Sequence, residues 1–292
     1  MHPVGFPNDI KGSDTDNVNL FQPSLSVDKQ GSITTGLVGD TVTYTVTVTN
    51  TSSSDSPNLT FDSDPTKGLV DTKAGDLLRT LNAGYTLVSR TCVPATSLTV
   101  SPAAGSSCQV VFSHVITSTD PDPLPNVASA WMHPAGFPNN IQGSDDWSVD
   151  IIHPDFSIVK QCTGNTAVPM GGTAIFDITI TNTGDVVILA NSITVEDPAA
   201  VSGKYKGTAS ITFPFLIPDP IPVGQSVIIT DVAVPATSAN LDVNGKIRND
   251  TVGSFSYLGR PPIEKTANAF CPVTADGATR TPGFWQTHVS YT

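Results

Sequence analysis

Basic residues are scarce in this chain. Lys and Arg total 14 against 26 Asp and Glu, a net charge of −12 over 292 residues. Nucleic acid and anionic membrane surfaces both require clustered Lys and Arg, so neither is an expected partner. Aromatics make up 7% of the chain and hydrophobic residues 38%, which is thin for one large core but adequate for small ones. No run approaches the ~18 apolar residues that a spanning helix needs. No secretory signal stands at the N-terminus, which excludes nothing in a chain that reads as a piece of a longer array. The four cysteines, Cys92, Cys108, Cys162 and Cys271, form no Cys-x-x-Cys pair, and no histidine is spaced to complete a zinc site. None of His2, His114, His133, His153 and His288 lies near a Gly-x-Ser-x-Gly elbow. No glycine-rich phosphate loop runs from a strand into a helix. The expectation is a protein without enzymatic activity or cofactor.

What the chain does have is Thr, Val, Ser, Asp, Pro and Gly, the residues of strands and turns. Thr41-Val42-Thr43-Tyr44-Thr45-Val46-Thr47-Val48-Thr49-Asn50 alternates strictly, as does Thr173-Ala174-Ile175-Phe176-Asp177-Ile178-Thr179-Ile180-Thr181-Asn182. A period of two is that of a strand with one wet face. It predicts that Val42, Tyr44, Val46 and Val48 point inward together, and likewise Ala174, Phe176, Ile178 and Ile180. Gln109 to Ile116 and Ser226 to Val234 read as later strands. Many short strands between turn signals predict an all-β fold of tandem antiparallel β-sandwich modules.

The chain also repeats itself. Met1-His2-Pro3-Val4-Gly5-Phe6-Pro7-Asn8-Asp9-Ile10 returns as Met132-His133-Pro134-Ala135-Gly136-Phe137-Pro138-Asn139-Asn140-Ile141. A long-period repeat signals a modular array. The expected boundaries are a terminal hairpin of a preceding module at 1–21, one module at 22–152, a second at 153–260, and the start of a third, or a complementing segment, at 261–292. Short Pro-bearing junctions make these links semi-rigid.

An even cysteine count without metal spacing favours an oxidising compartment. Cys92 and Cys108 flank a loop rich in Pro, Ala, Gly and Ser, and a disulfide there is expected to contribute about 3 kcal/mol. Cys162 and Cys271 each follow a lysine-bearing strand and are expected to pair across a module junction. Free buried thiols are the alternative for all four.

The lysine strands, the "Gly-Asp-Thr-Val-Thr-Tyr-Thr-Val-Thr-Val-Thr-Asn" run, the following Asp-Pro and the late "Asn-x-Ala" together resemble the Ig-like repeats of bacterial and archaeal surface proteins, a domain of unknown function (number eleven). Thr279-Arg280-Thr281-Pro282-Gly283-Phe284-Trp285-Gln286-Thr287-His288 resembles a motif that recurs in secreted proteins carrying such repeats. The resemblance implies Ig-like modules and a secreted, surface-displayed structural protein. The second module departs from the pattern at Gly172, Phe176 and Asp250-Thr251.

Within that frame a lysine, an acid and an asparagine recur in order: Lys29, Asp64 and Asn126, then Lys160, Asp197 and Asn249. The order resembles that of sandwiches that join Lys to Asn through an intramolecular isopeptide bond. Such chemistry needs a lysine neutralised by burial, a buried carboxyl to polarise the amide and shuttle protons, and neighbouring terminal strands. Each residue also has an ordinary role: a solvated strand lysine, a turn-forming Asp before Pro, an Asn bonding to backbone. Asn249-Asp250-Thr251 is in addition a glycosylation sequon. Asp120, Asp122, Asp145 and Asp146 are weak calcium candidates without EF-hand spacing, more readily read as solvated turns. Trp131 and Trp147 are expected to cover a module end.

The expected role is a structural component of an extracellular or cell-surface stalk, fibre or filament. Head-to-tail self-association is expected, with 261–292 completing a sheet with 1–21 of the next copy. The alternative is an adhesin or ligand-binding module, with the Cys92–Cys108 loop as its first candidate surface and the cell envelope or a surface ligand as partner.

Overall fold

Alternating Thr and Val leave a strand no choice but to bury one face, and the two longest runs of this pattern do so. The computed structural model describes residues 2–103, 105–164, 167–200, 211–212 and 220–274. Two units divide it, residues 1–151 and 152–292. The first carries β1 (Leu25–Gly31), β2 (Thr35–Gly36), β3 (Thr41–Asn50), β4 (Leu59–Phe61), β5 (Leu69–Asp71) and β6 (Gly75–Asp76). It continues with β7 (Tyr85–Arg90), β8 (Ser97–Leu98), β9 (Ser107–Val115), β10 (Leu124–Pro134) and β11 (Ile141–Ile151). The second carries β12 (Phe156–Cys162), β13 (Val168–Pro169), β14 (Thr173–Asn182), β15 (Ile193–Glu196) and β16 (Ile211–Thr212). It ends with β17 (Ser226–Pro235), β18 (Ile247–Phe255), β19 (Ile263–Cys271) and β20 (Val273–Thr274).

In the first unit one sheet runs β1-β3-β9-β7 and the other β2-β11-β10-β4-β8, with β5 also paired to β10. The second unit follows the same plan: β12-β14-β17 in one sheet and β16-β15-β18-β19 in the other. First, second and fifth strands on one face and third, sixth and seventh on the other is the immunoglobulin-type order. The parallel pairings of β2 with β11 and of β13 with β20 complete that order at each sandwich edge. Both units are therefore Ig-like antiparallel β-sandwiches. Val42, Tyr44, Val46 and Val48 are fully buried in the first core; Ala174, Phe176, Ile178 and Ile180 are fully buried in the second.

Both disulfides form. Cys92 and Cys108 join the chain after β7 to β9, and Cys162 joins the end of β12 to Cys271 at the end of β19. The second bond lies inside the second module and not across a junction. Its cause is a shifted boundary: residues 263–271 do not open a third module but pair antiparallel with β18, from Ile247↔Cys271 to Phe255↔Ile263. Pro261 and Pro262 sit at the turn before this last strand. Strand β19 is thus the counterpart of β11, and its hydrogen bonds are satisfied within its own module, so residues 263–271 are not free to complete a sheet in another copy. Residues 275–292, including the Thr279 to His288 motif and Trp285, lie outside the described residues.

Described residues 2–20 form no strand and are exposed. Yet the repeat runs in constant register into the lysine strands. Ile10, Gly12, Asp14 and Val18 align with Ile141, Gly143, Asp145 and Val149 of β11, and Lys29 aligns with Lys160.

Candidate functional site: two buried Lys–Asp–Asn triads

Strand β1 alternates Leu25, Val27, Lys29 on its inward register, and β12 alternates Phe156, Ile158, Lys160. Each lysine therefore occupies a position that the pleat assigns to an apolar residue. The asparagines do the same. Asn126 stands between Leu124 and Ala128 on the buried face of β10, and Asn249 between Ile247 and Thr251 on that of β18. Both lysine side chains and the carboxylates they meet are fully shielded from solvent. Burying such groups costs several kcal/mol each unless they are paired.

The pairs are Lys29 with Asp71, Nζ to Oδ2 at 2.5 Å, and Lys160 with Asp197. Aromatic faces complete each lysine pocket. Lys29 Nζ lies 5.0 Å from the centroid of Tyr44 and 5.7 Å from that of Phe112; Lys160 Nζ lies 5.4 Å from that of Phe176. Burial pushes both lysines below their ordinary value, against the pull of the facing aspartate.

The sequence reading assigned Asp64 to the first triad, and the structure replaces it with Asp71. Asp64 lies in a turn, where Oδ1 accepts from the backbone and hydroxyl of Thr66. In the second module one strand, β15, runs directly into Asp197. In the first, that strand is split into β4 and β5 by residues 62–68, and both pieces pair with β10. The acid follows the second piece. Leu69-Val70-Asp71 matches Val195-Glu196-Asp197, whereas the Asp-Pro match pointed to the loop.

The triads differ around the amide. In the second module Asn249 Nδ2 donates to Asp197 Oδ2 at 2.8 Å, the oxygen that also meets Lys160. Asp197 Oδ1 and Asn249 Oδ1 are buried without a hydrogen-bond partner. In the first module Asp71 Oδ1 accepts the backbone N–H groups of Lys73 and Ala74. Thr72 Oγ1 donates to Asn126 Oδ1 at 3.2 Å, and Asn126 Nδ2 and the Tyr44 hydroxyl are both buried without a well-formed hydrogen bond. The second module thus leaves two buried acceptors without a donor beside its lysine–aspartate pair, whereas the first leaves an amide donor and a hydroxyl.

Three of the four calcium candidates are engaged by protein donors. Asp120 Oδ2 accepts from His114 and Thr117, Asp122 Oδ1 accepts the Ile151 N–H, and Asp145 Oδ2 accepts the Lys29 N–H. Among the described residues, no group of three or more His, Cys, Asp or Glu is placed to hold a metal ion. Trp147 lies over Gly31, where an added Cβ would fall 2.2 Å from Nε1, and donates to the Ile33 carbonyl. No helix among the described residues is long and apolar enough to cross a membrane.

No protein-family profile matches the chain, and no curated protein matches it. Solved structures with some similarity include DIP-gamma IG1+IG2, at 10% identity over 86% of this chain and 99% of that one, TM-score 0.34. The C-terminal domain of the Streptococcus agalactiae AgI/II polypeptide BspA aligns at 10% identity over 85% of this chain and 100% of that one, TM-score 0.36. Red sea bream transglutaminase aligns at 10% identity over 89% of this chain and 32% of its own, TM-score 0.27. These scores carry no weight for function. The strand order and the triads define the class: a pair of Ig-like sandwiches, each with a charged triad sealed in its core.

Proposed function

We propose that each module closes its triad into a Lys–Asn isopeptide bond, and that the protein is a load-bearing structural component displayed outside the cell. The carrying observation is that two modules of different sequence each bury a lysine, an aspartate and an asparagine on inward registers of corresponding strands. Nothing in packing calls for three polar groups there. In the reaction, Lys29 or Lys160 passes one ammonium proton to the aspartate it touches. The freed amine attacks the Asn side-chain carbon, the C–N bond to Nδ2 breaks, and nitrogen leaves as ammonia with the lysine's second proton. The third proton stays on the new amide. The bond ties the first strand of one sheet to the sixth of the other, so tension on the module would run through a covalent link. Two disulfides and a strongly acidic surface suit an oxidising, extracellular setting.

Intact mass under reducing conditions tests this directly. The reading expects a mass lower than the fully reduced plain chain by two ammonia molecules; a mass equal to that of the fully reduced plain chain would refute it.

Residues 2–21 support the array. They repeat the segment that forms the end of β10, its turn and β11, including Gly12 and Asp14. In β11 these positions serve the first strand: Gly143 leaves room for Leu25, and Asp145 accepts the Lys29 N–H. The segment thus reads as the closing hairpin of a like module upstream. Hydrogen exchange would test it: residues 10–20 should exchange fast in this chain and become protected in a chain extended upstream by one module. Lack of protection there would remove the array reading. Assembly into filaments is a further step, and microscopy showing monodisperse monomers throughout would count against it.

A further inference from the structure

The two triads use different groups to hold the amide that must lose its nitrogen. In the second module Asp197 alone meets both Lys160 and Asn249 Nδ2. In the first, Asp71 is turned away: its second oxygen is held by two backbone N–H groups. The amide oxygen of Asn126 is taken by Thr72. Its nitrogen and the Tyr44 hydroxyl are both buried without a hydrogen-bond partner, and the Tyr44 ring lines the same lysine pocket, 5.0 Å from Lys29 Nζ. Tyr44 is fully buried, and the strand register places it opposite Gly31 where Phe176 stands opposite Cys162. A buried hydroxyl with nothing to bond costs about 1–3 kcal/mol, and Phe at this position in the second module shows that the fold does not need it.

Resting on the isopeptide reading above, we propose that Tyr44 is a positioning residue for the first module's bond. Its hydroxyl receives the Asn126 Nδ2–H and holds the amide with its carbon turned toward Lys29, work that Asp197 does in the second module. Burial raises the Tyr44 hydroxyl to about 12, and the Asn126 side chain opposes that rise, as a nearby donor would. A Tyr that stays protonated is available throughout as an acceptor for N–H and as a donor toward nitrogen once it becomes an amine.

The experiment follows both bonds in one molecule. Wild type and Tyr44→Phe chains, recovered unfolded from inclusion bodies before any link has formed, are folded by dilution and sampled over time. Peptide mapping then quantifies the Lys29–Asn126 and Lys160–Asn249 links separately. Tyr44→Phe in a Lys29→Met background, where no first-module bond can form, gives the purely structural cost from its unfolding midpoint. The expected result is a first-module link about tenfold or more slower in Tyr44→Phe, with the second module's link unchanged and no matching loss of stability in the Lys29→Met background. A first-module link at wild-type rate in Tyr44→Phe overturns the proposal and leaves the isopeptide reading intact. Links absent from both wild-type modules overturn the isopeptide reading and this inference with it.

Discussion

The two modules share a strand order and a triad but secure their first strand differently. In the second, Cys162 at the end of β12 is joined to Cys271 at the end of β19. In the first, Gly31 takes the position of Cys162, and the Trp147 indole packs on it and hydrogen-bonds Ile33. The first module's disulfide instead ties Cys92 to Cys108, closing a local loop with a sequence separation of 16, against 109 for the other. So the second module would carry two covalent clamps over nearly the same long span, and the first only one. Redundancy of clamps, and not the core itself, is where the modules part.

The largest expected effect tests that redundancy. Asn126→Ala and Asn249→Ala each remove one link while leaving the lysine–aspartate pair. A cross-link over a span of that length contributes about 4–5 kcal/mol by loop entropy. Asn126→Ala should cost the first module that amount. Asn249→Ala should cost the second far less, because the Cys162–Cys271 bond still constrains the unfolded chain. Calorimetry resolving two transitions measures both. Equal losses would break the comparison.

Disulfide removal sharpens it. Cys162→Ser with Cys271→Ser should cost little in the wild-type background and about 4–5 kcal/mol in the Asn249→Ala background. Cys92→Ser with Cys108→Ser should cost about 3 kcal/mol whether or not Asn126 is present, since it closes a short local loop that takes up little of the Lys29–Asn126 span within which it lies. Denaturant unfolding of the wild type and the six variants gives the two cycles. Additive costs in the second module would show that its clamps constrain different parts of the unfolded ensemble.

How much of this was legible beforehand follows from what a period of two can encode. The inward faces of β3 and β14, the sandwich class, both disulfides and the second triad could be read because each depends on local alternation or on few candidates. Asp71 could not, because residues 62–68 interrupt one strand and no alternation crosses a loop. The last strand of the second module was misread because Pro261-Pro262-Ile263-Glu264-Lys265 looks like Pro154 to Lys160. In β19, Lys265 shares the register of Ile263, Ala267 and Cys271, yet it lies partly exposed beside Asp155. In β1 and β12 the lysine on that register is buried. Alternation is therefore the same in both cases, and only the packing of neighbouring strands separates them.

Proton bookkeeping gives a smaller effect, in rate. The reactive arrangement, neutral lysine with protonated aspartate, holds the same proton count as the ion pair, so bond formation should be flat with pH while the pair keeps one proton. Burial places both lysines below 10.5. Above that lowered value the pair loses its proton, and the rate should fall about tenfold per unit. The fall should be deeper in the second module, where Asp197 alone serves the amide, than in the first, where Thr72 and Tyr44 share it. Folding of unlinked chains from inclusion bodies at a series of pH values, read by mass, would show it. Rates that climb steadily with pH in both modules would mean a free amine acting without its carboxyl.

The smallest effect isolates a feature seen in the first module alone among the described residues. His114 is buried, its ring stacked on Tyr85 with centroids 4.5 Å apart. Nδ1 lies 2.9 Å from the Gly84 carbonyl and Nε2 2.9 Å from Asp120 Oδ2. Both neighbours are acceptors, so only a ring protonated on both nitrogens satisfies both. Asp120 also accepts the N–H and hydroxyl of Thr117, and these donors with His114 hold its carboxyl below the usual range although burial opposes them. A carboxylate with a lowered value contributes stability above its ordinary range and loses it as pH falls through the lowered one. Asp120→Asn should therefore cost the first module about 1.5–3 kcal/mol at neutral pH, the worth of hydrogen bonds to a charged group, and progressively less in acid. The second module's transition in the same chain is the control. A cost unchanged from neutral to acidic pH would show that Asp120 acts by shaping the turn at Thr117 and not by its charge.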